Sequence, residues 1–282
     1  MPEIYITVEQ ALLEADPRRK CAKVADLQRG WLQNQFNIDP SLAVLPLDEP
    51  GRPTLPQLVD PRKLERRSAA TETGRIRLLH AFAHIEFNAI NIALDAVYRF
   101  RDQSLDFITD WLQVASEEAK HFCLLEDELL TRGSGYGAHL AHAGLWQMVC
   151  RTRHDVLHRM ALVPRIMEAR GLDVTPTMIE KFEQVGDLAA AEILRIIYRD
   201  EVGHVRIGNH WYHSLCAQRG LDPVVAFQQL VDQYMGGKLR GPFNWLARLE
   251  AGFGEPELEA LERAGYIRGS TSSNPRSDFQ LR

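Results

Sequence analysis

The sequence predicts an all-α protein, and three observations carry the prediction. Four long segments, about Ala69–Phe100, Leu105–Thr131, Trp146–Arg170 and Asp187–Gln218, repeat apolar residues three and four positions apart. No stretch alternates apolar and polar residues as a half-buried strand would. The second and third segments are separated by thirteen glycine-rich residues, Gly133–Leu145, enough chain to cross a bundle.

The elements follow in chain order. Thr7, with Gln10 three positions on, reads as the cap of a short helix whose apolar face starts at Val8, Ala11 and Leu12. Asp16-Pro17 reads as the cap and first residue of a second helix running toward Trp31. Six prolines from Pro40 to Pro61 exclude a helix and predict an extended strap. Only about four residues, 101–104, join the first two long helices, which makes them antiparallel neighbours. The connection Gly133–Leu145 reaches about 43 Å at about 3.3 Å per residue, the length of a helix of about 28 residues, so the third helix can start parallel to the second.

Antiparallel pair, long crossover, antiparallel pair is the ferritin-like four-helix bundle. Pro164 predicts a kink in the third long helix. Thr175-Pro176 reads as the cap and start of a shorter helix to Val185. Beyond the bundle, Pro223–Met235 and two shorter stretches, PFNWLARLEAGFG and EPELEALERAG, read as helices. The expected division is 1–68 for N-terminal helices and strap, 69–219 for the bundle, 220–269 for helices packed on it, and 270–282 for a polar, disordered tail.

Composition narrows the function. Hydrophobic residues make up 45% and charged residues 25%, enough for a sizeable core, and a net charge of −5 gives no reason to expect a polyanion as main partner. The cysteines Cys21, Cys123, Cys150 and Cys216 are scattered without CxxC spacing, which excludes a rubredoxin-like site or zinc ribbon. They read as free thiols of a reducing cytoplasm. The N-terminal stretch lacks the apolar core of a signal peptide, and no uncharged apolar run reaches about 18 residues, so a cytoplasmic protein without a membrane partner is expected.

The chemistry lies in a repeated pattern. Glu118 and His121 on the second helix, and Glu201 and His204 on the fourth, each form a Glu-x-x-His step that puts carboxylate and imidazole one turn apart on the same face. With 21 Glu and 10 His such steps arise by chance, so the register carries the argument. Glu86 precedes Glu118 by 32 residues and Glu168 precedes Glu201 by 33, while His121 and His204 lie 83 apart and Glu86 and Glu168 lie 82 apart. The chain therefore reads as two helix pairs, each supplying one Glu and then one Glu-x-x-His.

All four carboxylates sit on apolar stripes. Leu79, Phe82, Ala83 and Ile90 flank Glu86, and Leu194, Ile197, Val205 and Gly208 flank Glu201. Four buried carboxylates without partners would cost many kcal/mol or take up protons. Two divalent cations balance them, and four Glu with two His is the ligand set of di-iron and di-manganese bundles. Asp200 and Glu117, each preceding a ligand Glu, are candidates to hydrogen-bond a ligating histidine. Tyr198 is a candidate donor near the metals, with core packing as its other reading. His84 lies about 200° around the helix from Glu86 and cannot share its facing.

The stretch from about Arg75 to Arg219 resembles the ferritin-like superfamily. More narrowly, it resembles a mainly bacterial family of unknown function within it, through the segments EARGLDVTP (Glu168–Pro176) and DEVGHVRIGNHW (Asp200–Trp211). The resemblance implies a dinuclear site at Glu86, Glu118, His121, Glu168, Glu201 and His204, and implies no substrate. The expected function is an O₂- or peroxide-dependent oxidoreductase of hydroxylase or oxygenase type with two iron (or manganese) ions. Its expected substrate is a small molecule, or a modified nucleoside as in the ferritin-like tRNA hydroxylases. An external electron donor and a homodimer through a bundle face are also expected. The competing readings are iron handling (ferroxidase, storage or peroxide detoxification) and a non-catalytic scaffold stapled by metal.

Overall fold

In the computed structural model of the chain, residues 1–65, 67–237, 239 and 241–266 are described, so the expected tail at 270–282 lies outside the described residues. Every regular element among them is helical, and the only β-type pairings there are two isolated bridges. No helix among them is long and apolar enough to cross a membrane. The chain forms two compact units, residues 1–153 with 181–193, and residues 154–180 with those from 194 onward.

The first unit opens with α1 (Ile4–Leu12) and α2 (Pro17–Leu32). The α1 cap is Glu3, whose carboxylate accepts from the Ile6 N–H at 2.9 Å, and not Thr7 as the sequence predicts. Thr7 Oγ1 instead donates to Glu3 O at 2.7 Å, a bond back along the helix that such hydroxyls readily make. Asp16 caps α2 as expected, accepting from the Arg19 N–H at 2.8 Å, with Pro17 at the first position. Lys20 reaches from α2 to Leu12 O at 2.7 Å and Asn91 Oδ1 at 2.6 Å, and its full burial pushes its pKa down to about 7.

The long helices α3 (Glu72–Arg99) and α4 (Leu105–Thr131) follow, joined by residues 100–104. Thr71 caps α3, accepting from the Gly74 N–H at 3.1 Å. Gly74 has to be glycine, because a Cβ there would stand 2.0 Å from Ser68 O. α3 is buried on almost every side, including the polar His80, His84, Asn88, Asn91 and Asp95. A single apolar stripe would not have predicted that.

Two segments account for part of this burial. The crossover lies along α3: the Gly137 N–H donates to His80 Nε2 at 3.0 Å, and Tyr136 OH lies 2.9 Å from His84 Nδ1. The proline-rich strap is pinned to the crossover, with the Val59 N–H donating to Ala141 O and the Ala141 N–H to Gln57 O. At the far end Asp187 takes a two-pronged bond from Arg132, both at 2.7 Å, and a contact from Arg75 at 3.1 Å.

The predicted third long helix is broken. α5 (Gly144–Arg151) ends in the first unit, and Asp155 caps a new start, accepting from the Leu157 N–H at 2.7 Å. From there α6 (Val156–Leu162), a π-helical turn (Val163–Glu168) and α7 (Ala169–Gln184) run on without a gap. The expected separate helix at Pro176 is absent, because α7 continues through that proline. The carbonyl that Pro176 leaves unbonded, Leu172 O, accepts from Asn244 Nδ2 at 3.1 Å instead. α8 (Leu188–Gln218), α9 (Pro223–Met235), α10 (Trp245–Glu250) and α11 (Glu255–Tyr266) are the remaining helices among the described residues.

Candidate metal centre

The site is built from helix register. In the first unit α3 carries Glu86, and α4 carries Glu118 and, one turn on, His121. All three are buried, with 2%, 0% and 0% exposure. His121 Nδ1 stands 3.3 Å from Glu86 Oε2 and 3.4 Å from Glu118 Oε2, and the ligand atoms of the three lie within 4.8 Å of one another. This buried Glu/His group has the atoms and spacing to hold a metal ion.

The electrostatics fit the same conclusion. Burial, reinforced by the Glu118 carboxylate, holds Glu86 well above the usual carboxylate range. Burial also pulls His121 down, but Glu118 and Glu86 outweigh it and push the imidazole up to about 10. Glu86 Oε2 makes no well-formed hydrogen bond although it is buried. Without metal, a proton holds the cluster together.

A pH dependence follows. Both shifts are upward, so this cluster binds more protons in the folded protein than in the unfolded chain, while Lys20, pushed down to about 7, acts in the opposite sense over the same range. Stability present below about pH 6.5 is then lost as pH rises toward about 10. The stabilisation that saturation with Mn(II) adds in denaturant melts is expected to grow between about pH 7 and 9.5, a difference from which Lys20, common to both forms, drops out. A metal-induced gain that does not change with pH would remove this account of the cluster.

In the second unit α8 carries Glu201 and His204, with His204 Nδ1 3.5 Å from Glu201 Oε1 and His204 fully buried. Glu168, half-buried, is the last residue of the π-helical turn, a local widening that often re-aims a side chain at a functional site. The turn is wedged in place, since a Cβ on Gly208 would lie 2.3 Å from the Pro164 ring. After the turn Asp173 takes two bonds from Arg248, at 2.9 and 2.8 Å, and one from the Asn244 N–H at 2.9 Å. Gly208, Asp173 and Pro176 of the two sequence segments thus have packing and hydrogen-bonding roles.

The structure brings Glu86, Glu118 and His121 together in one unit and Glu201 with His204 in the other, with Glu168 on the turn. Of the candidates around them, Asp200 lies 3.0 Å from Arg199 Nε, Glu117 accepts from Gln113 at 3.2 Å, and Tyr198 OH accepts from Asn244 at 3.3 Å. The other histidines have their own partners: His84 with Tyr136 and His142 O, His158 with Tyr234, and His213 with Glu257. Sequence reasoning missed Arg165, Arg248 and Asp173, whose partners lie far along the chain. A charged residue inside an otherwise apolar stripe was the signal that could have found Arg165.

A family profile described as "Protein of unknown function (DUF455)" matches residues 13–259. An uncharacterized protein of Haemophilus influenzae is 47% identical over 267 residues, covering 91% of this chain and 93% of that protein. No solved structure matches.

Proposed function

The chain belongs to that family of unknown function, DUF455, and from that premise we propose that it is a ferritin-like dinuclear iron or manganese carboxylate protein acting as an O₂- or peroxide-dependent oxidoreductase. The observation that carries the reading is the buried Glu86–Glu118–His121 group. Its carboxylates, buried together beside one imidazole, need protons or a cation to offset them, and a divalent ion would offset both at once. The pseudo-repeat in the sequence supplies the other half from Glu168, Glu201 and His204, making four carboxylates and two imidazoles for two divalent ions.

Bound iron would supply electrons to O₂ or peroxide at open coordination positions. The protein's own residues do the rest. Glu86 and Glu118 would hold negative charge in a buried site, and His121 would give up its proton on loading. Asp200 and Glu117 would orient the ligating histidines, and Tyr198 would donate near the metals. The substrate would be a small molecule or a modified nucleoside, an external donor would supply electrons, and the protein would work as a homodimer.

The test is anaerobic reconstitution with Fe(II) or Mn(II) followed by elemental analysis. About two ions per chain are expected, lost in a Glu201→Ala, His204→Ala variant. The reduced iron form is then expected to consume O₂ while eluting as a small oligomer. A large cage would favour iron storage, metal without O₂ uptake would favour a stapled scaffold, and no bound metal would end the dinuclear reading.

A further inference from the structure

Four cysteines scattered through the sequence read as unrelated, but the fold pairs two of them. α2 and α4 run antiparallel, and their contacts fix the register: Trp31 Nε1 donates to Thr109 Oγ1 at 2.9 Å, and further along Arg18 pairs with Asp127. One turn inward from that ion pair, the register sets Cys21 of α2 opposite Cys123 of α4, their thiols in mutual electrostatic contact and Arg18 alongside. On helices packed about 8–10 Å apart, each Cα about 2.3 Å off its axis, directly facing Cα atoms stand about 3.4–5.4 Å apart. A disulfide spans Cα separations of about 4.4–6.8 Å, so this pair can close without taking the helices apart.

Access distinguishes the two sulfurs. Cys21 is buried at 7% exposure, whereas Cys123 is partly exposed. Cys123 also lies two residues, about 200°, around α4 from His121, so it faces α2 and away from the carboxylate cluster. The other two cysteines have different surroundings: Cys150 Sγ lies 3.5 Å from Asp48 O, and Cys216 is buried beside Tyr212.

We propose that Cys21 and Cys123 form a hydroperoxide-reactive dithiol, an oxidation site separate from the metal centre and not dependent on it. The Cys123 sulfur attacks the outer oxygen of the hydroperoxide, the O–O bond breaks, and an S–O bond forms. The sulfur loses two electrons and the leaving oxygen departs as water or alcohol with the thiol proton. The Cys21 sulfur then displaces that oxygen, which leaves as a second water, and the S–S bond closes. Two thiols and one hydroperoxide thus give one disulfide, water, and either a second water or the alcohol. The product ties α2 to α4, the helix that carries Glu118 and His121.

The experiment treats the full-length protein, both chelated and Mn(II)-loaded, with one equivalent of hydrogen peroxide. Free thiols and intact mass are then measured. A loss of about two thiols and about 2 Da per chain is expected in both forms, with a Cys21–Cys123 peptide restored by dithiothreitol. Cys21→Ala should stop at a sulfenic acid on Cys123, trapped by dimedone as an adduct. Cys123→Ala should slow thiol loss at least tenfold, and circular dichroism checks that both variants fold. Oxidation falling first on Cys150, or all four thiols surviving, would overturn the proposal. So would a requirement for bound metal.

Discussion

Replacing Glu118 by glutamine is expected to strip the protein of metal while making its metal-free form less sensitive to alkaline pH. Glu118 is fully buried, 3.4 Å from His121 Nδ1, and its carboxylate is part of what holds Glu86 above the usual range. Glutamine keeps the shape and removes the charge. Glu86 can then ionise more easily, and His121, which loses one of two carboxylate neighbours, is no longer held near 10. The cluster needs one proton fewer, so the metal-free protein should gain about 1–2 kcal/mol at pH 9, one pKa unit being worth about 1.4 kcal/mol. Metal affinity should fall by about 100-fold or more, beyond what loss of a supporting residue costs. The two effects have opposite signs, which a simple packing defect cannot produce. Denaturant melts of chelated variant and parent at pH 9, beside titration with Mn(II), decide it. A variant that binds metal as the parent does, or that is less stable without it, would count against a ligand role.

Local signals were the most legible part of the fold. α4 spans Leu105–Thr131 as its periodicity predicts, and Asp16-Pro17 caps α2 as read, because a short polar side chain there reaches back to a free N–H group. The Glu-x-x-His steps were legible for the same reason, because one helix turn fixes their geometry. What the sequence hid depends on distant partners. Pro176 looks like a helix start until Asn244, 68 positions later, bonds the carbonyl it leaves open. Thr7 looks like a cap until Glu3 takes that place.

The same distinction holds at the site. The periodicity could place Glu86, Glu118 and His121 on inward faces, but not the π-helical turn that ends at Glu168, since an extra residue in a turn leaves no periodic trace. Nor could it find the arginines that hold this region. Arg165 and Arg248 are buried charges with ring and carboxylate partners on α7, α8, α9, α11 and the loops, contacts that only the folded chain assembles.

Those arginines carry the second large effect. Replacing Glu257 by alanine is expected to cost about 3–5 kcal/mol, because it leaves a buried guanidinium without its counter-charge. Arg165, fully buried in the π-helical turn, donates to Glu257 Oε1 at 2.5 Å and stacks among Tyr212, Phe227 and Phe253, whose ring centres are 4.0, 4.5 and 4.7 Å away. Burial pushes the Glu257 carboxyl upward, but His213, Arg165 and the Gly254 N–H outweigh it and hold it near 2. Its stabilisation is therefore present above about pH 4.5 and lost only as pH falls toward 2. For a chain of this size the alanine variant should melt about 10 °C lower. The double variant Arg165→Met, Glu257→Leu removes both charges and keeps apolar volume among the same rings, so it should recover most of the loss. If the single variant costs under about 1 kcal/mol, the rings alone hold Arg165. If the double variant is as unstable as the single, the loss is one of packing rather than of an unpaired charge. Because the turn ends at Glu168, the single variant should also weaken metal binding, and the double variant should restore it along with stability.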